Sequence, residues 1–300
     1  MKILMCSDGS KQAQEATRFG GIIAAASQAE VTILGIMERP GHQEALFDSL
    51  RVVQQDLNAA GVTAEVTIKA GNPVEEILKK TQETHFDMVI IGAVRKGSRG
   101  PFLMSATAYK IIKVIEPPVL VVVGARQSLG SILICSGGER YIERAVALAG
   151  GMAKAAGAGI TLLHVMAEPP TVYADLIELE KENAAHLLET NSDLGRNLRH
   201  EKESLESIGV KCEVRLRYGL VVDEIYNEIL MGDYDLIVTG SSPAGDALRT
   251  YIMGNITREI VNRAERPVLV VRGEDVPVGL RRGLKDMLSD LGHALGGRSK

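Results

Sequence analysis

Short runs of consecutive apolar, largely β-branched residues recur along the chain, separated by longer stretches in which apolar positions fall three or four apart. The runs read as strands buried on both faces and the stretches as amphipathic helices. Their alternation predicts a parallel sheet covered on both sides, an α/β doubly wound fold. Helices are predicted at about residues 10–27, 43–60, 73–84 and 106–116, with Gly61 suited to a helix C-terminus and Pro73 to a first helical turn.

The pattern occurs twice. KILMCSDGS from Lys2 matches SILICSGGE from Ser131, placing Asp8 on Gly137, and VTILGIM from Val31 matches ITLLHVM from Ile160, both at an offset of 129 residues. Further on, IKAGNPVEEIL (Ile68 to Leu78) matches LRYGLVVDEIY (Leu216 to Tyr226), and FDMVIIG (Phe86 to Gly92) matches YDLIVTG (Tyr234 to Gly240), now at an offset of 148. PPVLVVV (Pro117 to Val123) matches RPVLVVR (Arg266 to Arg272) at 149. Two domains are expected, residues 1–124 and 131–273, joined by the short linker GARQSL, with a helical tail at 274–300. The extra residues of the second copy predict one lengthened, solvent-facing amphipathic helix from about Tyr173 to Ser207, broken near Gly195. In the tail, Leu280, Leu284, Met287, Leu288 and Leu291 share one helical face beside Arg281, Arg282 and Lys285, and docking on the body is the favoured role.

Composition narrows the function classes. With 45% hydrophobic and 24% charged residues the chain is neither disordered nor membrane-embedded in character, and a net charge of −4 supplies no field to attract nucleic acid. Three cysteines without disulfide or zinc spacing, and the lack of a signal-peptide pattern, point to the cytoplasm. Cys6 and Cys135 fall inside apolar strands and read as small buried hydrophobes, whereas Cys212, flanked by charges, reads as the exposed thiol. The six histidines, among them His85, His164 and His186, have no metal-ligand spacing, so no metal is expected.

The order of motifs resembles the universal stress protein family, in a tandem, two-domain form. They are Asp8-Gly9-Ser10 after the first strand, Gly71-x-Pro73-x-Glu75-Glu76-Ile77, the strand Asp87 to Gly92, and the closing Pro118 to Val122, with a second set to Arg272. The resemblance implies two repeated five-stranded parallel sheets of the adenine nucleotide alpha hydrolase-like kind. It also implies a stress-response binding or regulatory module with ATP, or another adenine nucleotide, as candidate ligand.

In the nucleotide-binding branch of that family the fourth strand ends in G-x-x-G, nine residues and then G-S or G-T. Such a loop and helix start bring backbone amides to phosphate at the sheet's topological switch point. The first copy keeps Asp8 and Gly92 but has Arg95 at the second glycine and Ser105-Ala106 at the Gly-Ser. Gly97, Gly100, Thr107 and the cations Arg95, Lys96 and Arg99 compensate in part. On the resemblance, Ile36 packs the base, Asp8 holds the ribose, and Gly92, Gly97, Gly100, Ser105 and Thr107 serve the phosphates.

The second copy keeps Gly240 and Gly254-Asn255, but Gly137 replaces Asp8, and Pro243 and Asp246 stand in the loop. Two other readings stay open. One is a nucleotide-free interaction protein working through the long helix and tail. The other is a slow ATPase, for which only Asp8 and Lys96 offer the carboxylate and cation. No nucleophile-elbow, P-loop or zinc-protease motif occurs, so no catalytic residue is assigned. The apolar closing runs would be sheet edges, open to pairing within one chain as an internal pseudo-dimer or between two chains.

Overall fold

A computed structural model of the protein describes residues 1–38, 43–93, 106–138, 142–166, 176–241, 255–263 and 265–272. The proposed tail, 274–300, lies outside the described residues. In the first half the elements are β1 (Lys2–Ser7), α1 (Lys11–Ser27), β2 (Glu30–Met37), α2 (Gln43–Ala59), β3 (Ala64–Ala70), α3 (Pro73–Glu83), β4 (Met88–Gly92), α4 (Ala106–Val114) and β5 (Val119–Val122). The second half has β6 (Ser131–Cys135), α5 (Glu143–Ala156), β7 (Gly159–Met166), α6 (Leu176–Glu189), α7 (Asp193–Ser207), β8 (Cys212–Tyr218), α8 (Val221–Met231), β9 (Leu236–Ser241), α9 (Asn255–Arg263) and β10 (Val268–Arg272).

The helix starts follow from local chemistry. Ser10 caps α1 by accepting from Ala13 N (3.2 Å), and Asn72 caps α3 by accepting from Val74 N (2.9 Å), with Pro73 in the first turn where no N–H is missed.

Each half repeats one strand order. β3-β2-β1-β4-β5 runs into β10-β9-β6-β7-β8, so the two expected sheets are one continuous ten-stranded sheet. Every pairing within a half is parallel, while β5 and β10 pair antiparallel, with Val119 opposite Val270, Leu120 opposite Leu269 and Val121 opposite Val268. Leu120 and Leu269 are also repeat equivalents, so a pseudo-twofold axis passes between them. The apolar edges do pair within the chain. Because of the antiparallel junction, the strand C-termini of the two halves lie at opposite ends of the common sheet.

One face of the sheet is covered by α1, α2, α5, α6 and α7, the other by α3, α4, α8 and α9. Contacts besides the strands join the halves: α1 packs on α5, Arg258 of α9 stands 5.7 Å over the Tyr109 ring of α4, and Arg272 Nη2 donates to the α4 carbonyls of Ile112 (2.9 Å) and Lys113 (2.8 Å). The last contact satisfies carbonyls that a helix end leaves open. No helix among the described residues is long and apolar enough to cross a membrane.

Two expectations are corrected. The predicted long helix is two helices, and the chain breaks at Thr190–Ser192, not at Gly195: the Ser192 hydroxyl accepts from Gly195 N (3.1 Å) and caps α7. Gly195 belongs to that first turn, where a Cβ would lie 2.4 Å from Leu187 O. Helix α7 is the counterpart of α2, and α6 is the insertion. Nor is α7 a purely solvated face, since Gly195, Leu198, Glu201 and Leu205 are buried. Likewise Cys212 is buried, and burial pushes its thiol up to about 12. Position 212 opens β8 beneath α7, and its charged neighbours in sequence point the other way along the strand. Cys6 and Cys135 are buried free thiols, as expected of strand cysteines.

Candidate functional site

In each half the strand order reverses beside the first strand, between β1 and β4 and between β6 and β9, and a crevice opens there at the strand C-termini. The first-half crevice is a cleft of about 170 Å³. Ile36, Ile77, Ile91 and Ile111 give it apolar walls, and Asp8, Glu38 and Thr107 stand at its polar side. The turn after β1 builds its rim: Ser7 Oγ accepts from Gly9 N (3.2 Å) and Asp8 Oδ1 from Ser10 N (2.9 Å). That hydrogen bond aligns the Asp8 carboxylate, whose other oxygen has no donor among the described residues. Gly9 adopts φ +84°, a left-handed conformation that glycine takes without strain.

Four of the expected first-half residues are brought together here: Asp8, Ile36, Gly92 and Thr107. Gly97, Gly100 and Ser105, with Arg95, Lys96 and Arg99, lie outside the described residues. Among the described lining residues the charged groups are Asp8 and Glu38, both acidic.

Gly92 has a packing reason to be glycine. A Cβ there would lie 2.6 Å from Gln12 O and 2.9 Å from Ala13 N, in the rigid first turn of α1. Gly92→Ala is therefore expected to destabilise the protein by about 1–3 kcal/mol through overpacking, read as a lower urea midpoint at unchanged slope. A midpoint equal to that of the unsubstituted protein would show that the close approach is not binding.

The second-half crevice is furnished differently. Gly240 lies in β9 and Asn255 opens α9, while Gly254, Pro243 and Asp246 lie outside the described residues. The Gly240 carbonyl accepts from Thr257 Oγ1 (3.2 Å) and from Thr239 Oγ1 (3.2 Å), and the two hydroxyls are 3.4 Å apart. These buried threonines occupy the positions of Ile91 and Ala108, which line the first cleft. The first turn of α9 is thereby tied to the end of β9.

Sequence reasoning missed a polar cluster under α7. Ser136 donates its hydroxyl to Glu201 (3.0 Å to Oε2) and accepts from Gly138 N (3.1 Å). His164 Nδ1 lies 2.9 Å from Ser136 O, and Asn197 Nδ2 donates to Gly138 O (2.9 Å). Burial holds the His164 imidazole below its ordinary pKa, and the Ser136 carbonyl only partly offsets this. The available signal was the repeat register, which sets Glu201 on Val53 and His164 on Gly35. Among the described residues no group of three His, Cys, Asp or Glu side chains is placed to hold a metal ion.

The sequence profile of the universal stress protein family matches residues 1–123 and 129–272. A relative from Staphylococcus aureus (strain USA300), named for the same family, is 30% identical over 153 residues, 49% of this chain and 86% of the relative. The crystal structure of a universal stress protein from Archaeoglobus fulgidus DSM 4304 has a TM-score of 0.68 at 19% identity, covering 90% of this chain and 98% of that one. A functionally unknown protein from Pseudomonas aeruginosa PAO1 has a TM-score of 0.66 at 17% identity, covering 95% and 97%. At these identities the two structures share the fold.

Proposed function

The chain belongs to the universal stress protein family, and from that premise we propose that it is a tandem binding module whose first half takes an adenine nucleotide in the Asp8–Gly92 cleft. The observation that supports the reading is one apolar slot bordered by both a carboxylate and a helix N-terminus, at the switch point of the sheet. In this reading Ile36 lies against the base and the free oxygen of Asp8 accepts from ribose hydroxyls. The amides opening α4 and the Thr107 hydroxyl donate to phosphate. With Asp8 and Glu38 both negative, phosphate charge has to be met by the loop cations Arg95, Lys96 and Arg99. A cleft of about 170 Å³ is smaller than the roughly 300–1,000 Å³ of most ligand pockets, so it suits the nucleoside part of the ligand.

In the second half the Gly137 substitution and the Thr257–Gly240 tie favour a role without nucleotide, closer to that of an interaction surface. Three free thiols fit a reducing compartment such as the cytoplasm.

Mass spectrometry of freshly purified, denatured protein should recover adenine nucleotide in at most one copy per chain. In titrations with ATP, Asp8→Ala should weaken binding about tenfold, the worth of one charge-assisted hydrogen bond. Absence of both co-purified nucleotide and ATP binding at millimolar concentration would leave the interaction-protein reading. Equal affinity in the variant would remove Asp8 from the site.

A further inference from the structure

The duplication supplies an internal control for each second-half residue that has a counterpart in the first half. At the repeat register, Leu198, Glu201 and Leu205 of α7 stand where α2 has Leu50, Val53 and Leu57, and all six are buried. A valine in the core stripe of one copy is thus a glutamate, 3% exposed, in the other. A buried carboxyl in an apolar stripe costs stability unless it is fully paired, so packing alone gives no reason for it. The neighbouring substitution is in keeping: His164 replaces Gly35 on the adjacent strand. Ser136 and Gly138, by contrast, are unchanged from Ser7 and Gly9, so the turn itself did not need the acid.

We propose that Glu201 makes the docking of α7 onto the Ser136–Gly138 turn a proton-controlled latch, firm while the carboxyl is protonated and loosened once it is charged. This goes beyond nucleotide binding and does not depend on it.

The geometry fits a latch in three respects. First, among the described residues Glu201 receives one donor, the Ser136 hydroxyl, although a carboxylate has room for about four hydrogen bonds. It has no cationic partner within ion-pair distance among the described residues. Second, the same helix holds the turn at two further points. Asn197 bonds the Gly138 carbonyl, and Leu194 covers Gly138 so closely that a Cβ there would lie 2.2 Å from its Cδ1. Release of α7 therefore frees the turn that corresponds to the Asp8 turn of the first half. Third, a cavity of about 270 Å³ between α5 and α7, lined in part by Val146, Leu205, Ile208 and Glu201, offers a path for water to a newly charged carboxylate.

The titratable groups on the surrounding elements leave Glu201 to act alone. Glu143 of α5 adds negative charge that favours the protonated form. Cys212 of β8 is held as a thiol by burial, and His164 of β7 is held toward its neutral form. His186 and Glu189 of α6 are solvent-exposed. On α7 itself His200 borders the cavity, and Lys202 is engaged with Glu206. Burial, only partly offset by the Ser136 hydrogen bond, raises the Glu201 carboxyl from an ordinary 4.5 to about 7.

The sign follows from linkage. Between those two values the docked state holds a proton that the released state does not. Raising the pH therefore weakens docking about tenfold per pH unit, and the effect levels off above about 7.

Hydrogen exchange of the full chain, followed by mass spectrometry at about pH 5 and about pH 8 and corrected for intrinsic exchange, tests this. Peptides from α7 and the Ser136–Gly138 turn should lose up to about a hundredfold in protection at the higher pH, while peptides from α2 serve as reference. Glu201→Val, which restores the residue of the first copy, should abolish the response, and Glu201→Gln, neutral at both pH values, should do the same. An equal response in wild type and either variant overturns the latch. So does a loss of protection of the same size in α2.

Discussion

Glu228→Ala is expected to lower the unfolding free energy by about 3–5 kcal/mol, the cost of removing one partner from a buried charge network. Glu228 is fully buried on α8. Its Oε1 accepts from Tyr234 Oη (2.5 Å) and Arg215 Nη1 (2.7 Å), and its Oε2 from Arg217 Nη2 (2.6 Å) and Nε (3.0 Å). Without the carboxylate, the half-buried guanidinium groups and a buried phenol lose their acceptor together. Arg215 is 40% exposed and can rehydrate, so the lower end of the range is the better expectation.

The measurement is urea denaturation of wild type and variant near neutral pH, and a loss below about 1 kcal/mol would mean the network is only decorative. Burial alone would raise the Glu228 carboxyl, but the hydrogen bonds from Tyr234, Arg217 and Arg215 outweigh it and hold it below its ordinary value. A depressed carboxyl stabilises above its unfolded pKa and loses that contribution as pH falls through its folded one. The buried Glu228 and Glu201 thus respond to pH with opposite signs: Glu228 supports the fold on the alkaline side, and Glu201 strains it there.

The paired variant Leu120→Ala with Leu269→Ala should be at least as damaging. Each leucine is fully buried at the antiparallel junction, beneath α1 and α5, and each truncation alone costs about 2–5 kcal/mol in transfer and cavity terms. Because the two are direct neighbours across the axis, their effects need not add. The damage should be concentrated at the seam between the halves, so limited proteolysis between residues 124 and 130 should accelerate along with the drop in denaturation midpoint. If the double variant unfolds no earlier than Leu230→Ala, an exposed control position, the junction contributes little.

Much of the architecture was legible in the residues. The duplicated order of apolar runs gave the strands and the alternation gave the parallel sheet, while the closing runs PPVLVVV and RPVLVVR marked edges open to pairing within one chain or between two, of which the structure shows the first. The departures from expectation share one physical cause: local composition differs from what the repeat register places inside. The run from Glu180 to Glu206 is so charged that it reads as a solvated helix. Aligned on α2, the same run shows a buried stripe with one carboxyl inside it. Cys212 is buried for the same reason, since the charges beside it in sequence alternate to the far side of the strand.

Of the candidate site, Asp8, Ile36, Gly92 and Thr107 were implied by the family resemblance, and they line one cleft. Sequence could not foresee that Gly92 is wedged against the first turn of α1, because that depends on an approach between segments far apart in the chain.

The antiparallel seam has a further consequence for how the two copies can work. Asp8 and Ser136 follow strands that are five steps apart in the sheet, roughly 24 Å at about 4.8 Å per step, and they emerge at opposite poles of the molecule. One ligand cannot bridge them, and a partner seated at one pole leaves the other facing solvent. Substitutions at one pole therefore need not disturb the other, and among the described residues what joins the poles is the shared apolar slab with the α1–α5, Arg258–Tyr109 and Arg272–α4 contacts across the seam.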